Sequence, residues 1–282
     1  MKTFHGRALA LAVISLLSTA CGERDEPLNV TIPFRAMVGN QPFACGQTYT
    51  GLGTTGTTYR PKDFRMYVHD VRLVTSGGEE VPVVLTEDGM WQGGGIVMLD
   101  FENKTGLCSN GTTGTNDRIV GTVPHNEYSA LRFTVGVPFD KNHQAMESGK
   151  APLGVSTLYW AWEAGHKFLR LDGNTTGLPN GHNLHLGSTG CKTSAPNVVT
   201  SCDNPNRFEV EISSFDPEQP STLVVDVAAL FARANLDVNQ PSTGPGCMSD
   251  QGDGDCAAIF QGLGLSFGGE TNPRGQVLFR KE

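Results

Sequence analysis

The stretch VTIPFRAMV, residues 30–38, decides the fold class of this chain. Its apolar residues recur at every second position: Val30, Ile32, Phe34, Ala36 and Val38. Successive side chains of a strand point to opposite faces of a sheet, whereas a helix has a period of about 3.6 residues. The alternation therefore predicts a half-buried β-strand with one apolar face.

The same alternation recurs along the chain, bounded by Gly, Pro, Asn or Thr. Further strands are predicted at residues 64–73, 131–137, 208–212 and 276–280. Helical patterns are confined to 227–236 and 257–261, and the 35 glycines and 16 prolines indicate many loops. The chain is therefore predicted to be all-β. We expect a β-sandwich of antiparallel strands with long Gly/Thr-rich loops stapled by disulfides, and one or two short helices.

The first residues have the layout of an export signal. Lys2 and Arg7 form a positive start, residues 8–17 are apolar, and small residues lead to Cys21. This apolar run is too short to cross a bilayer, which takes about 20 residues. We predict a signal peptide over 1–20, a polar tether over 21–27 and a single domain over 28–282.

Cys21 stands directly after Ala20, which predicts lipidation of Cys21 in a bacterial lipoprotein. Ser18 departs from this pattern, because such sites usually carry Leu there, and ordinary cleavage near Ala20 is the alternative. The predicted location is the periplasm or the outer membrane, with membrane contact only through the lipid anchor.

Charge excludes one class of partner. Without Lys2 and Arg7 the chain keeps 19 basic against 29 acidic residues, a net charge of −10. The basic residues are not clustered, so nucleic acid is not an expected ligand.

Cysteine number predicts disulfides. Six cysteines follow Cys21, and an even number in an exported chain is typical of disulfide bonding. They allow fifteen connectivities, of which bonds between near neighbours in sequence, Cys191 with Cys202 and Cys247 with Cys256, are the simplest. The six are Cys45, Cys108, Cys191, Cys202, Cys247 and Cys256.

Two of the three tryptophans lie in YWAWEAGHKFLRLDG, residues 159–173. In a strand, Trp160 and Trp162 would stand side by side on one face. Three interpretations remain open: core packing, a carbohydrate-binding platform, or an indole that is itself a substrate for oxidation.

Histidines are the candidate metal ligands, because imidazole suits copper and zinc. The sequence has no HExxH, GxSxG or phosphate-loop pattern, which removes the commonest hydrolase and nucleotide signatures. His69 is predicted to share a strand face with Tyr67, Val71 and Leu73. His182 and His185 are predicted to point apart, because residues three apart in a strand face opposite sides.

Several motifs in order resemble one family. They are PFACGQTYTGLGTT (42–55), DFRMYVHDVRLV (63–74), GVPFDKNH (136–143), YWAWEAGHKFLRLDG (159–173), HLGSTGC (185–191) and GCMSDQGDGDC (246–256). Together they resemble the MbnP-like family of exported copper-binding proteins, the metallo-mystery-pair four-Cys proteins, over nearly the whole mature chain. One departure is His166, where members commonly carry Tyr, and it is a possible additional ligand.

The resemblance implies a function. Members are encoded beside a di-haem enzyme similar to cytochrome c peroxidase and MauG, which oxidises a tryptophan to kynurenine. The member itself binds copper next to that residue and is not an enzyme. By this resemblance, the expected metal ligands are His69, His143 and His185. The expected modified residue is Trp162 or Trp160, with Trp162 favoured. The six cysteines are expected to form structural disulfides. The expected role is copper acquisition or homeostasis.

Two other functions remain open on the sequence alone. One is a surface module that binds glycan or protein through the aromatic strand. The other is a hydrolase or metalloenzyme with a histidine site. The absence of a general-base motif near any histidine argues against this second function.

Overall fold

A computed structural model of the protein describes residues 1–3, 26–146, 150–272 and 274–282. The predicted signal peptide from residue 4 onward, Cys21 and most of the tether lie outside these residues. In the described part, no helix has both the length and the apolarity needed to cross a bilayer. The proposed extent of the single domain stays a prediction.

The described residues form twenty strands, three short α-helices and two 3-10 helices, at Ser156–Leu158 and Gly254–Cys256. The strands are β1 Leu28–Val38, β2 Gln41–Pro42, β3 Tyr49–Leu52, β4 Thr57–Thr75, β5 Glu80–Pro82, β6 Val84–Leu85, β7 Gln92–Gly93, β8 Ile96–Asp100, β9 Arg118–Val123, β10 Tyr128–Val135, β11 Tyr159–Ala161, β12 Gly165–His166, β13 Leu169–Thr175, β14 His182–Leu186, β15 Thr189–Ala195, β16 Val198–Asn204, β17 Phe208–Ser213, β18 Leu223–Asp226, β19 Gly246–Cys247 and β20 Phe279–Lys281. The helices are α1 Phe139–Asn142, α2 Val227–Phe231 and α3 Ala257–Gly262.

Two sheets carry the fold. The smaller has the order β20-β18-β1-β9-β6, with β2 beside β1. The larger has the order β17-β10-β4-β13-β14-β19, with β3, β5 and β8 also paired with β4, and β7 paired with β8. Most neighbours are antiparallel, and β1 with β18 and β14 with β19 are parallel. Two hairpins, β11-β12 and β15-β16, stand apart from both sheets.

The two sheets share one apolar core, which confirms the predicted sandwich. The alternating residues of β1 are all buried, and Phe34 packs edge-on against Phe133 of β10 with ring centroids 5.9 Å apart. Phe279 of β20 closes the same aromatic cluster, 5.2 Å from the Phe133 ring. Burial of such rings against each other is the main stabilising term of a sandwich.

Helix α2 is shorter than the predicted 227–236 segment, whereas α3 matches the predicted 257–261 segment within one residue. α2 begins at Val227, directly after its N-cap Asp226, whose side chain accepts hydrogen bonds from the Ala228 and Ala229 N–H groups. It ends at Phe231 after five residues.

A bulge in β4 overturns the expected partners of His69. Asp70 has a φ of +53°, and the pairing of β4 with β10 shifts register between Arg132 and Thr134. One extra residue reverses the direction of every later side chain. Val71 and Leu73 therefore face the shared core, whereas Tyr67 and His69 face the outer side of the large sheet.

Three disulfides form, as the cysteine number predicts. Cys191–Cys202 and Cys247–Cys256 join near neighbours, and Cys45–Cys108 closes a loop with a sequence separation of 63. Cys191 and Cys202 are directly opposite each other in the β15-β16 hairpin.

Candidate metal centre

The outer face of the large sheet is covered by the residues that precede β13. We call residues 137–146 and 150–168 the cover segment. A second apolar cluster joins it to the sheet, with Tyr67 of β4 and Ile96 of β8 packed against Leu158 and Phe168 of the cover segment. Because the large sheet is buried on both faces here, side chains that point outward from β4, β13 and β14 lie in a sheltered layer.

Four charged side chains occupy this layer. Arg65 donates from Nε to Asp63 Oδ1 at 2.8 Å, and from Nη2 to Asp63 Oδ2 at 2.5 Å. Arg170 on the neighbouring strand lies 3.2 Å from Asp63 and donates to Asp172 Oδ2 at 2.7 Å. All four are at most 9% exposed. Such buried charges are tolerated because each is paired and hydrogen-bonded.

This ionic layer also anchors the cover segment. Arg65 donates to the Thr157 hydroxyl, and Arg170 donates to the Thr157 carbonyl, both at 3.1 Å. Thr157 lies two residues before β11, so the buried arginines fix the start of the hairpin that carries Trp160 and Trp162.

His185 joins the same layer from β14. Its Nε2 lies 2.9 Å from Asp172 Oδ1, but the two atoms are not aligned as a hydrogen bond. Burial alone would raise the pKa of Asp172, but the contacts with His185 and Arg170 outweigh it and lower that pKa. Asp172 thus lies where, in metal sites, a carboxylate accepts the second ring N–H of a histidine.

Trp160 packs beside His185, with ring centroids 6.3 Å apart. Its ring also lies over Gly187, where an added Cβ would come within 2.4 Å of the indole. Gly187, the first glycine of HLGSTGC, is therefore required by the close approach of Trp160. Trp160 lines a cavity of about 540 Å³ with Glu163, Thr189 and Met248 among its other walls.

His143 is held by the other tryptophan of the hairpin. Its Nδ1 lies 3.1 Å from the Trp162 carbonyl oxygen, which only accepts hydrogen bonds. Nδ1 therefore carries the proton, and Nε2 keeps its lone pair. Burial lowers the pKa of His143, which favours the neutral ring. His143 and Trp162 line a cavity of about 690 Å³.

His69 also points toward the cover segment. Its Nε2 is buried and has no hydrogen-bond partner in the described residues. Burial lowers the pKa of His69 to about 4, with the cations of Arg207 and Lys141 adding to the effect and Asp70 opposing it. Arg207 also lowers the pKa of His143, which places one cation close to both histidines.

Two further histidines are held inside the protein. His166 has Nδ1 3.2 Å from the Asn142 carbonyl and Nε2 3.2 Å from the Leu153 carbonyl, so it ties two parts of the cover segment together. His182 and His185 face opposite sides of β14, as predicted, and burial lowers the pKa of His182, which packs against Phe231. Neither His166 nor His182 lines the cavities beside the tryptophans.

Comparison with known proteins decides the family. The sequence profile of MbnP matches residues 27–249. The chain belongs to the MbnP family. The solved structure of MbnP from Methylosinus trichosporium is similar, with a TM-score of 0.78 and 28% sequence identity, over 90% of this chain and 98% of that chain. No curated protein matches this chain in sequence.

In this MbnP-family chain the predicted site residues form two pairs rather than one cluster. His143 contacts Trp162, and His185 lies beside Trp160. Among the described residues, the ring nitrogens of His69, His143 and His185 do not form a group within 4.8 Å of one another. The assignment of these three histidines as ligands stays a prediction.

The two tryptophans do not share a strand face. β11 ends at Ala161, and Trp162 lies in the turn before Gly165, whose φ is +78°. An added Cβ at Gly165 would come within 2.4 Å of the Asn142 side chain, so this turn depends on glycine. The cavities beside Trp160 and Trp162 consequently have no lining residue in common.

The residues present fit copper. The rings of His69 and His143 have lowered pKa values, which favours neutral imidazole, a ligand that copper prefers, and the Nε2 of His143 keeps a lone pair. Among the described residues, His69 Nε2 and His185 Nε2 are both buried without a hydrogen-bond partner, which leaves them available to an ion; His182, on the core side of β14, has two such atoms as well.

The buried ionic layer is absent from the sequence predictions. Its signal is present in DFR (63–65) and RLD (170–172), where opposite charges occupy same-face positions of otherwise apolar strands. Such i, i+2 pairs in a strand that is apolar on both sides indicate a buried ion pair.

We expect Asp100→Asn to change how stability depends on pH. Burial raises the pKa of Asp100 from 3.8 to about 8, although Arg65 opposes the shift. Between these values the folded protein holds more protons than the unfolded chain, so the free energy of unfolding falls as pH rises from 4 to 8. Asn resembles the protonated acid and can still accept the Glu102 N–H hydrogen bond.

The measurement is guanidinium unfolding at pH 5 and pH 8. The stability of Asp100→Asn relative to the unsubstituted protein should be greater at pH 8 than at pH 5. Asp216→Asn, which removes an exposed carboxyl, is the matched control. An equal difference at both pH values would show that Asp100 is ionised in the folded protein throughout.

Proposed function

We propose that this chain is an exported copper-binding protein that acts in copper acquisition or homeostasis and is not itself an enzyme. Family membership supports the proposal. The observation that carries it is the hairpin at residues 159–166, which brings each of its tryptophans against a different histidine. In this proposal His69, His143 and His185 provide the ligands, and their ring nitrogens, which form no common group in the described residues, move together when the ion binds.

The proposal includes a maturation step by a di-haem partner similar to cytochrome c peroxidase and MauG. That partner oxidises one tryptophan of the hairpin to kynurenine. An indole N–H only donates and has no lone pair for an ion, whereas kynurenine offers an aniline nitrogen and a carbonyl. Trp162 remains the favoured residue because its own carbonyl fixes the tautomer of His143, and Trp160 is the alternative through its contact with His185.

The chain's own residues perform three tasks in this scheme. The ionic layer fixes the start of the hairpin through Thr157. The Trp162 carbonyl holds the proton of His143 on Nδ1, and Asp172 lies against the ring of His185. When bound, copper supplies a one-electron redox centre. Export to the periplasm, with a lipid on Cys21, is part of the proposal.

A surface module for glycan or protein is the alternative function. The half-buried tryptophans that line open cavities favour it. Equilibrium dialysis against copper separates the two functions. The proposal expects one tightly held copper ion per chain, and the alternative expects none, together with retention of the protein on an immobilised glycan.

A further inference from the structure

The Cys191–Cys202 disulfide lies against the candidate ligand His143. Cys202 Sγ is 3.5 Å from His143 Nε2. The two sulfurs and a ring nitrogen of His143 all lie within 4.8 Å of one another. While the disulfide is intact the sulfurs are poor ligands, because thiolate is the form that binds a metal.

His143 is prepared for a ligand on this side. Its Nδ1 proton is held by the Trp162 carbonyl, so the lone pair of Nε2 is directed toward Cys202 and the Asn142 amide, the latter at 3.2 Å. Metal-bound histidines commonly donate their second N–H to a carbonyl in this way.

The disulfide is more accessible than the other two. Cys191 and Cys202 are half-buried in the β15-β16 hairpin, most of whose residues are exposed. Cys45, Cys108, Cys247 and Cys256 are at most 3% exposed. A reductant in solution therefore reaches Cys191–Cys202 first.

Reduction leaves the hairpin in place. The β15-β16 backbone pairing extends from Thr189–Asn204 to Ala195–Val198 around the disulfide. At its base the Thr189 hydroxyl donates to the Ser249 carbonyl at 3.2 Å, and the Ser188 hydroxyl donates to the Pro205 carbonyl at 2.9 Å. The two thiols stay opposite each other and beside His143.

We propose that reduction of Cys191–Cys202 by a dithiol creates a soft-metal site for Cu(I), formed by the two thiolates and His143 Nε2. The dithiol gives two electrons and two protons, the S–S bond breaks, and the dithiol becomes a cyclic disulfide. Binding of Cu(I) then releases the two thiol protons to solvent. Thiolate is the donor that selects Cu(I). This site goes beyond the proposed function, because it needs neither kynurenine nor His69 and His185. It shares His143 with the histidine site, so the two sites cannot be filled at once.

The test is an anaerobic titration of the full chain. The protein is treated with dithiothreitol without denaturant, desalted, assayed for thiols and titrated with Cu(I) supplied as its bicinchoninate complex. We expect two new thiols per chain. Because the thiolate site takes His143 Nε2 from the histidine site, bound Cu(I) is counted in His69→Ala/His185→Ala, where reduction should raise it from none to one per chain. Absence of native-state thiols, or thiols without additional Cu(I), would overturn the proposal.

Matched variants assign the site. Cys191→Ser/Cys202→Ser should show neither the thiols nor the additional Cu(I). His143→Gln should keep the thiols and bind the additional Cu(I) at least about tenfold more weakly, since loss of even an outer partner costs that much. Unchanged affinity in His143→Gln, or additional Cu(I) in the serine variant, would also contradict the site.

A third variant separates this proposal from the proposed function. His69→Ala/His185→Ala should lose the copper bound by the oxidised protein and keep the additional Cu(I) that appears on reduction. If oxidised protein binds no copper while reduction still adds one Cu(I), the histidine site fails and the thiolate site stands.

Discussion

His69→Ala should abolish tight copper binding while leaving the fold intact. Its Nε2 is buried and has no hydrogen-bond partner among the residues that the structure describes, so the substitution removes a ligand without breaking a hydrogen bond seen there. Loss of a residue that only orients a ligand costs about 10–100-fold in metal affinity, and loss of the ligand itself should cost at least about a hundredfold. His185→Ala should behave in the same way, with the Arg170–Asp172 ion pair retained.

Equilibrium dialysis with copper measures this effect, and far-ultraviolet circular dichroism checks the fold. His125→Ala is the matched control, because His125 is exposed in the turn between β9 and β10. Its copper affinity should equal that of the unsubstituted protein. Equal affinity in His69→Ala and the unsubstituted protein would remove His69 from the site.

Replacing the Cys45–Cys108 disulfide by alanines should lower the free energy of unfolding by about 4 kcal/mol, and replacing Cys247–Cys256 should lower it by about 2.5 kcal/mol. The order follows from loop length, because the sequence separations are 63 and 9 and a longer loop loses more entropy on closure. All four cysteines are buried, so alanine avoids leaving a hydroxyl without a partner.

Guanidinium unfolding without reductant measures both double variants. The unsubstituted protein should show no free thiol when unfolded without reductant, which establishes that all three bonds are present. A greater loss for the shorter loop would mean that contacts around Cys247 and Cys256, and not chain entropy, dominate the contribution of that disulfide.

The fold class could be predicted because one face of each main strand is apolar. In β1 the alternation from Val30 to Val38 continues without interruption, and every one of these residues is buried. In β4 the same rule fails at Asp70, where the bulge inserts one residue. Asp is among the few residues that adopt a positive φ, but an isolated Asp in a strand pattern is too weak a signal to locate a bulge.

The candidate site was predictable only in part. Residue types and motifs indicate which histidines and tryptophans matter, but not which of them meet. Trp162 leaves the strand face because β11 ends at Ala161 and the hairpin turn begins at Trp162. The position of this turn depends on the close packing of Gly165 against Asn142, which is distant in sequence. The contact of Cys202 with His143 joins residues 59 apart in sequence, and no local pattern predicts it.

The central claim is that a tryptophan of this hairpin is oxidised and that copper then binds beside it. Intact-protein mass spectrometry with a copper assay tests it most directly, on protein made with and without an active di-haem partner and its oxidant. We expect a gain of about 4 Da only with the partner, from conversion of an indole that cannot ligate into kynurenine that can. The gain should map to Trp162 or Trp160, with one tightly bound copper ion per chain. Both tryptophans unmodified after exposure to an active partner, with copper still tightly bound, would contradict the claim and leave a site made of histidines alone.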